Sequence, residues 1–231
     1  MRNLVVFGDS WPAGMELETP MQHAFPYLIG KQLNFDTVIN LSEGGTSLLH
    51  LLLQLKKWLS VKSLYSHDTE YVFLFCLTAS VRSLWFNELG EPKEIIPTDK
   101  SKTSYYAEAF HWPETAKFNW YQTVTLLQGF SSRYAIKDYY VQMFECPPMD
   151  SDYNRLISME RMYACARNNM RDFLYSLENE PSPQLYKEAY GPELKVDSSA
   201  YRKYFAPNFG HPNILGHQLI ANEIVNFMKS L

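Results

Sequence analysis

Three short features are of a type and spacing that could do chemistry: Gly8-Asp9-Ser10 near the amino terminus, Gly44-Gly45, and His211 in Gly210-His211-Pro212-Asn213. Gly-Asp-Ser alone marks a plain turn. Placed directly after the apolar run Leu4 to Phe7, it acquires a second meaning. A serine leaving a buried strand into a helix presents its hydroxyl, and its own N–H, at the positive end of the helix dipole. A developing oxyanion is stabilised there. An imidazole reaching the same point would supply a base of suitable basicity.

Such residues must be brought together by the fold. Leu4 to Phe7 reads as a strand buried on both faces, as in a parallel sheet. Residues 24–33 carry a helical apolar pattern, and 36–40 a second strand. Ser47 to Leu59 is a Leu-rich helix, and Tyr71 to Leu77 the strongest strand. Residues 85–113 lose periodicity, hold three prolines and read as an inserted loop. Thr115 to Tyr134 reads as a long helix, Tyr139 to Phe144 as a fourth strand, and Asp152 to Leu177 as helical. Residues 181–207 are irregular, and Asn213 to Leu231 is an amphipathic helix. Strands alternating with helices predict one α/β domain over residues 1–231, a three-layer sandwich on a mostly parallel sheet of about four or five strands. In such sheets the ligand crevice lies beyond the carboxyl ends of the strands. Ser10, Gly45 and the stretch Thr78 to Arg82 each follow a strand, so these loops should converge.

The order of the blocks resembles the SGNH (GDSL-type) hydrolases. Val6-Phe7-Gly8-Asp9-Ser10 matches the first block, with Trp11 where the family often has Leu. Asn40-Leu41-Ser42-Glu43-Gly44-Gly45-Thr46-Ser47 looks like the second, and Gly210 to His217 resembles the last. The resemblance runs nearly end to end. It implies a flavodoxin-like α/β/α sandwich and nucleophilic acyl transfer. Ser10 would attack an ester carbonyl, and His211 would take its proton and return it to the leaving alcohol. The N–H groups of Ser10 and Gly45 would hold the oxyanion, and Asp9 would order the Ser10 loop.

Two blocks depart from the family pattern. The third usually carries an Asn that donates to the oxyanion, and here Leu77-Thr78-Ala79-Ser80-Val81-Arg82 has Ser80 nearest that position. Ser80 or Thr78 could donate through a hydroxyl, and Arg82 could add charge. Losing one oxyanion donor typically costs about 2.7 to 4 kcal/mol. The Asp usually found three residues before the His is here Asn208. An amide can orient an imidazole but cannot stabilise imidazolium as a carboxylate does, and Asp-to-Asn in a serine protease triad costs about 10⁴ in turnover. Another carboxylate, such as Asp197, would have to swing in.

The expected activity is therefore serine-dependent ester hydrolysis, with deacetylation of a carbohydrate ester as one form. A binding module that has lost turnover and an acyltransferase using the same serine are the alternatives. The expected partner is a small-molecule or glycan ester. A nucleic-acid partner is disfavoured by the net charge of −4 and sequence pI near 5.9. No cofactor is expected, since the chain lacks a Gly-rich phosphate loop of the usual spacings. No metal is expected either, because His23, His50, His67 and His111 are scattered without ligand spacing. Cysteines at 76, 146 and 165 make no CxxC and no even set, which favours a reducing compartment. The amino terminus lacks the apolar core of a signal peptide, and no stretch approaches the roughly 20 apolar residues of a membrane span. A cytoplasmic location follows as an expectation. His217 reads as structural, Cys76 as a core residue, and the aromatic stretch Tyr105 to Tyr121 as core packing ahead of a substrate groove.

Overall fold

The computed structural model describes residues 1–60, 69–79, 82–87, 89–95, 113–144, 152–163, 169–177, 204–206 and 210–231. Five strands form one parallel sheet: β1 (Arg2–Phe7), β2 (Thr37–Asn40), β3 (Glu70–Leu77), β6 (Lys137–Gln142) and β7 (Met162–Tyr163), in spatial order β2-β1-β3-β6-β7. Taken by themselves, these strands have the 2-1-3-4-5 order of flavodoxin-like folds, and the order reverses between β1 and β3. Their register pairs Arg2 with Glu70 and Phe7 with Phe75.

Alternation along each strand sends side chains to two cores. Leu4, Val6, Val72, Leu74, Tyr139 and Val141 face α3 (Phe25–Gln32), α6 (Met170–Leu177) and α7 (Ile214–Ser230). Val5, Phe7, Phe73, Phe75 and Tyr140 face α4 (His50–Ser60) and α5 (Pro113–Arg133). Both faces of β1 and β3 are buried, so these strands read as unbroken apolar runs rather than alternating ones. Phe7 stacks on Phe75, and Trp58 of α4 meets Phe73 edge-on. Each such side chain contributes roughly 1.5 to 3 kcal/mol by leaving water. Helices α1 (Ser10–Ala13) and α2 (Pro20–His23) are single turns that lead from β1 into α3.

Two stretches differ from expectation. Part of 85–113 is a hairpin, not a loop: β4 (Ser83–Phe86) pairs antiparallel with β5 (Pro92–Ile95). The Asn87 side chain accepts from Leu89 N and Glu91 N and closes the turn, the local bonding that suits Asn to turns. Residues 96–112 lie outside the described residues. Residues 152–177 are expected as helix, and their described parts, 152–163 and 169–177, instead give two 3₁₀ turns, the short strand β7, and α6. Gln128 of α5 bonds both the N–H and the C=O of Ser158, and β6 offers an edge to Met162–Tyr163. Tertiary pairing there overrides the local helical pattern.

Candidate functional site

The chain leaves β1 at the point where strand order reverses. A Cβ on Gly8 would lie 2.5 Å from Pro12 Cγ and 2.9 Å from Cys76 Cβ, so only glycine lets this backbone pass. Its peptide is held from all sides. Gly8 N donates to Gln54 Oε1 at 2.9 Å, and Gln54 Nε2 donates back to Gly8 O at 2.8 Å. Glu43 N and Thr46 Oγ1 donate to the same oxygen at 3.1 and 3.3 Å. Gln54 is buried in α4. Gln54→Ala leaves the buried Gly8 N–H without its acceptor, while Gly8 O keeps Glu43 N and Thr46 Oγ1. A loss of about 1 to 3 kcal/mol is expected, read by chemical denaturation.

Asp9 caps the single turn α1, its Oδ1 accepting from Trp11 N at 3.2 Å. Its Oδ2 accepts from Thr78 Oγ1 at 2.8 Å and from Arg82 Nη1 at 3.1 Å. Burial pushes the Asp9 carboxyl above the ordinary carboxylate value, while Arg82, Thr78 and the Trp11 N–H pull it down. Asp9 thus orders the Ser10 turn. Thr78 directs its one proton at Asp9, and Arg82 Nη1 also donates to Thr46 O at 3.2 Å. Two side chains expected at the oxyanion are therefore bonded beneath the serine. Cys76, behind Gly8, is a buried thiol pushed well up by burial and by Asp9.

Ser10 is the first residue of α1 and is 4% exposed. Beside it lies the second loop. Asn40 Nδ2 donates to Pro12 O at 2.7 Å, and Asn40 Oδ1 accepts from Ser42 N at 3.2 Å. This asparagine ties the Glu43–Thr46 loop to the serine turn. Gly45 sits there at φ +75°, a left-handed backbone that glycine adopts at no steric cost.

His211 arrives from the far end of the chain. Phe205 and Pro212 form an antiparallel bridge, with Ala206 N donating to His211 O at 2.8 Å and Asn213 N to Tyr204 O at 2.9 Å. Asn213 caps α7 through Gly216 N. His211 Nδ1 then lies 3.4 Å from Glu16 Oε2. The imidazole also lies within electrostatic reach of Asp9 and His217. Glu16 belongs to the turn that follows Ser10: Gly14 ends α1 in the left-handed region and Met15 N donates to Ser10 O at 3.1 Å. Glu16 itself has φ +70°, which costs a non-glycine residue about 1 to 3 kcal/mol. Its side chain is nonetheless tucked in, 17% exposed. His217 is fully buried, stacks on Phe25 and accepts from Phe25 N at Nδ1.

The structure thus gathers Asp9, Ser10, Gly45, Thr78, Arg82 and His211 around one corner of the sheet. Asn208, Ser80 and Asp197 lie outside the described residues. Glu16 and Gln54 were missed by sequence reasoning. Gln54 carries no motif signal on its Leu-rich helix, and Glu16 shows only its place six residues after Ser10. A cavity of about 610 Å³ lies elsewhere, under the amino end of β6 between Ser131, Lys137, Asp138 and Arg161. Among the described residues there is no cluster of three or more His, Cys, Asp or Glu that could hold a metal, and no helix is long and apolar enough to cross a membrane.

No protein-family model matches the chain, and no curated protein does. Solved structures do. An acetyl xylan esterase, AlAXEase, is 14% identical and aligns over 97% of this chain and 98% of its own, with a TM-score of 0.50. The esterase EstA from Pseudoalteromonas sp. aligns over 99% and 97%, at 14% identity and a TM-score of 0.46. A member of the lipolytic G-D-S-L family from Veillonella parvula aligns over 100% of both chains, at 14% identity and 0.44. At such identities the likeness is one of architecture, and with the strand order above it identifies the chain as having the flavodoxin-like α/β/α fold of the SGNH hydrolases.

Proposed function

We propose that this chain is a serine-dependent ester hydrolase with Ser10 as nucleophile and His211 as general base and acid. One observation carries the reading. A serine opens a helix at the switch point of a parallel sheet, and a histidine some 200 residues on is clamped into the same corner with a carboxylate at its Nδ1. The fold is one that esterases use, but the site is what argues for this chain. Ser10 attacks the ester carbonyl as its proton passes to His211 Nε2, and the carbonyl electron pair becomes an oxyanion facing the N–H groups of Ser10 and Gly45. Collapse expels the alcohol with that proton. Water repeats the sequence and frees the acid.

Short acyl esters of carbohydrates are the substrate class put first. One structural neighbour is named an acetyl xylan esterase. Acetylated xylan, assayed beside nitrophenyl acetate and a longer-chain ester, tests that choice. One observation favours a non-hydrolytic binding module instead: Thr78 and Arg82 both bond to Asp9, which leaves the oxyanion to backbone amides among the described residues. A fluorophosphonate probe separates the two readings. A single adduct by intact mass, absent in Ser10→Ala and much slowed in His211→Ala, is expected of the hydrolase. A folded parent that takes no adduct overturns it in favour of the binding module.

A further inference from the structure

Resting on that hydrolase reading, we infer that Glu16 is the acidic member of a Ser10–His211–Glu16 triad. A histidine that accepts a serine proton at Nε2 becomes an imidazolium. It needs a fixed anion at Nδ1 both to select the tautomer and to stabilise that charge. The residue three before His211 is an uncharged amide, Asn208. Glu16 has the charge, the reach and the position: Oε2 lies 3.4 Å from Nδ1, on a side chain only 17% exposed.

The backbone points the same way. Glu16 holds a left-handed φ of +70° directly after a glycine-ended turn. Nothing in the turn's own bonding needs a carboxylate there, and strained non-glycine residues cluster where geometry serves a site. The turn also couples acid to nucleophile, since Met15 N donates to Ser10 O. Nucleophile and acid therefore belong to one turn, and only the histidine is delivered from afar. Asp9 and His217 also lie within electrostatic reach of His211. Asp9 is held by Arg82, Thr78 and Trp11 N, and His217 accepts from Phe25 N. Glu16 faces Nδ1 and does not touch the reacting atoms, so it is a positioning residue.

The test is steady-state hydrolysis of nitrophenyl acetate by the full chain. Glu16→Gln is expected to lower kcat by about 10²- to 10⁴-fold with KM little changed. Glu16→Asp should recover much of that loss. Glu16→Asn, which tolerates the left-handed backbone better, should lose as much as Glu16→Gln, so strain relief is not the cause. Glu18→Gln, which removes the same charge two residues on, should leave kcat at the parental level. Glu16→Gln combined with His211→Ala should be no slower than His211→Ala alone. Parental kcat in Glu16→Gln, with His211→Ala inactive, overturns the assignment and leaves the hydrolase reading standing. Parental turnover in Ser10→Ala overturns both.

Discussion

Ser10→Ala and His211→Ala are each expected to lower ester turnover by about 10⁴- to 10⁶-fold, and the double variant by no more than the worse single one. The non-additivity is the informative part. A nucleophile without its base, or a base without its nucleophile, performs the same residual reaction, which rests on the oxyanion donors and on binding alone. Two residues that merely shaped the pocket would instead multiply their losses. The parent itself should be a slow enzyme. Thr78 and Arg82 are bonded to Asp9, and a missing oxyanion donor alone removes about 2.7 to 4 kcal/mol of transition-state stabilisation. The measurable window therefore favours the lower end of the range. Burst kinetics with a nitrophenyl ester would read acylation directly. Additive losses, or a His211→Ala protein that turns over at a tenth of the parental rate or better, would count against a Ser10–His211 pair.

What the sequence revealed follows from which forces are local. Leu4 to Phe7 and Tyr71 to Leu77 are recognisable because strands buried on both faces need unbroken apolar runs. The last helix is recognisable from its 3.6-residue apolar pattern and its Asn213 cap. With those elements placed, the switch-point rule brings the loops after β1 and β3 to one corner, and the bond from Thr78 to Asp9 is that convergence in atoms. β7 could not be read the same way. Met162–Tyr163 is a strand only because β6 offers an open edge and Gln128 holds Ser158. Gln54 looks like a polar interruption of a Leu-rich helix until the peptide it clamps is known. Glu16 was hidden for a similar reason. The family pattern puts the carboxylate three residues before the histidine, where this chain has the amide Asn208. The carboxylate beside His211 in space follows the serine, in a turn whose left-handed backbone has no sequence signal at a glutamate.

Acid should destabilise this protein through His217, and removing that histidine should flatten the dependence. His217 lies fully buried beneath the site, accepting from Phe25 N at Nδ1. Burial, with a smaller push from His211, lowers it from 6.5 to about 3. The unfolded chain therefore binds this proton more readily than the folded one. Its contribution is fully present above pH 6.5 and is lost as the pH falls toward 3. At roughly 1.4 kcal/mol per pH unit, the loss reaches about 4 kcal/mol by pH 3. Asp9 runs in the opposite sense. Its raised value gives a contribution present below 3.8 that fades as the pH rises through the folded value, so it does not imitate the histidine. His217→Asn keeps an acceptor near Nδ1 for Phe25 N and abolishes the titration. The variant should be less stable than the parent at pH 7, through lost packing on Phe25. The gap should then narrow as the pH is lowered to 4, and equal pH slopes for the two proteins in denaturant melts would refute the account. The same bond explains why His217 cannot stand in for His211. With Nδ1 accepting from the backbone, it is held as the neutral Nε2–H tautomer, and a ring whose charged form burial disfavours so strongly is a poor base. The two histidines on either side of the α7 cap have thus been separated by environment, one buried and neutral, the other beside a carboxylate.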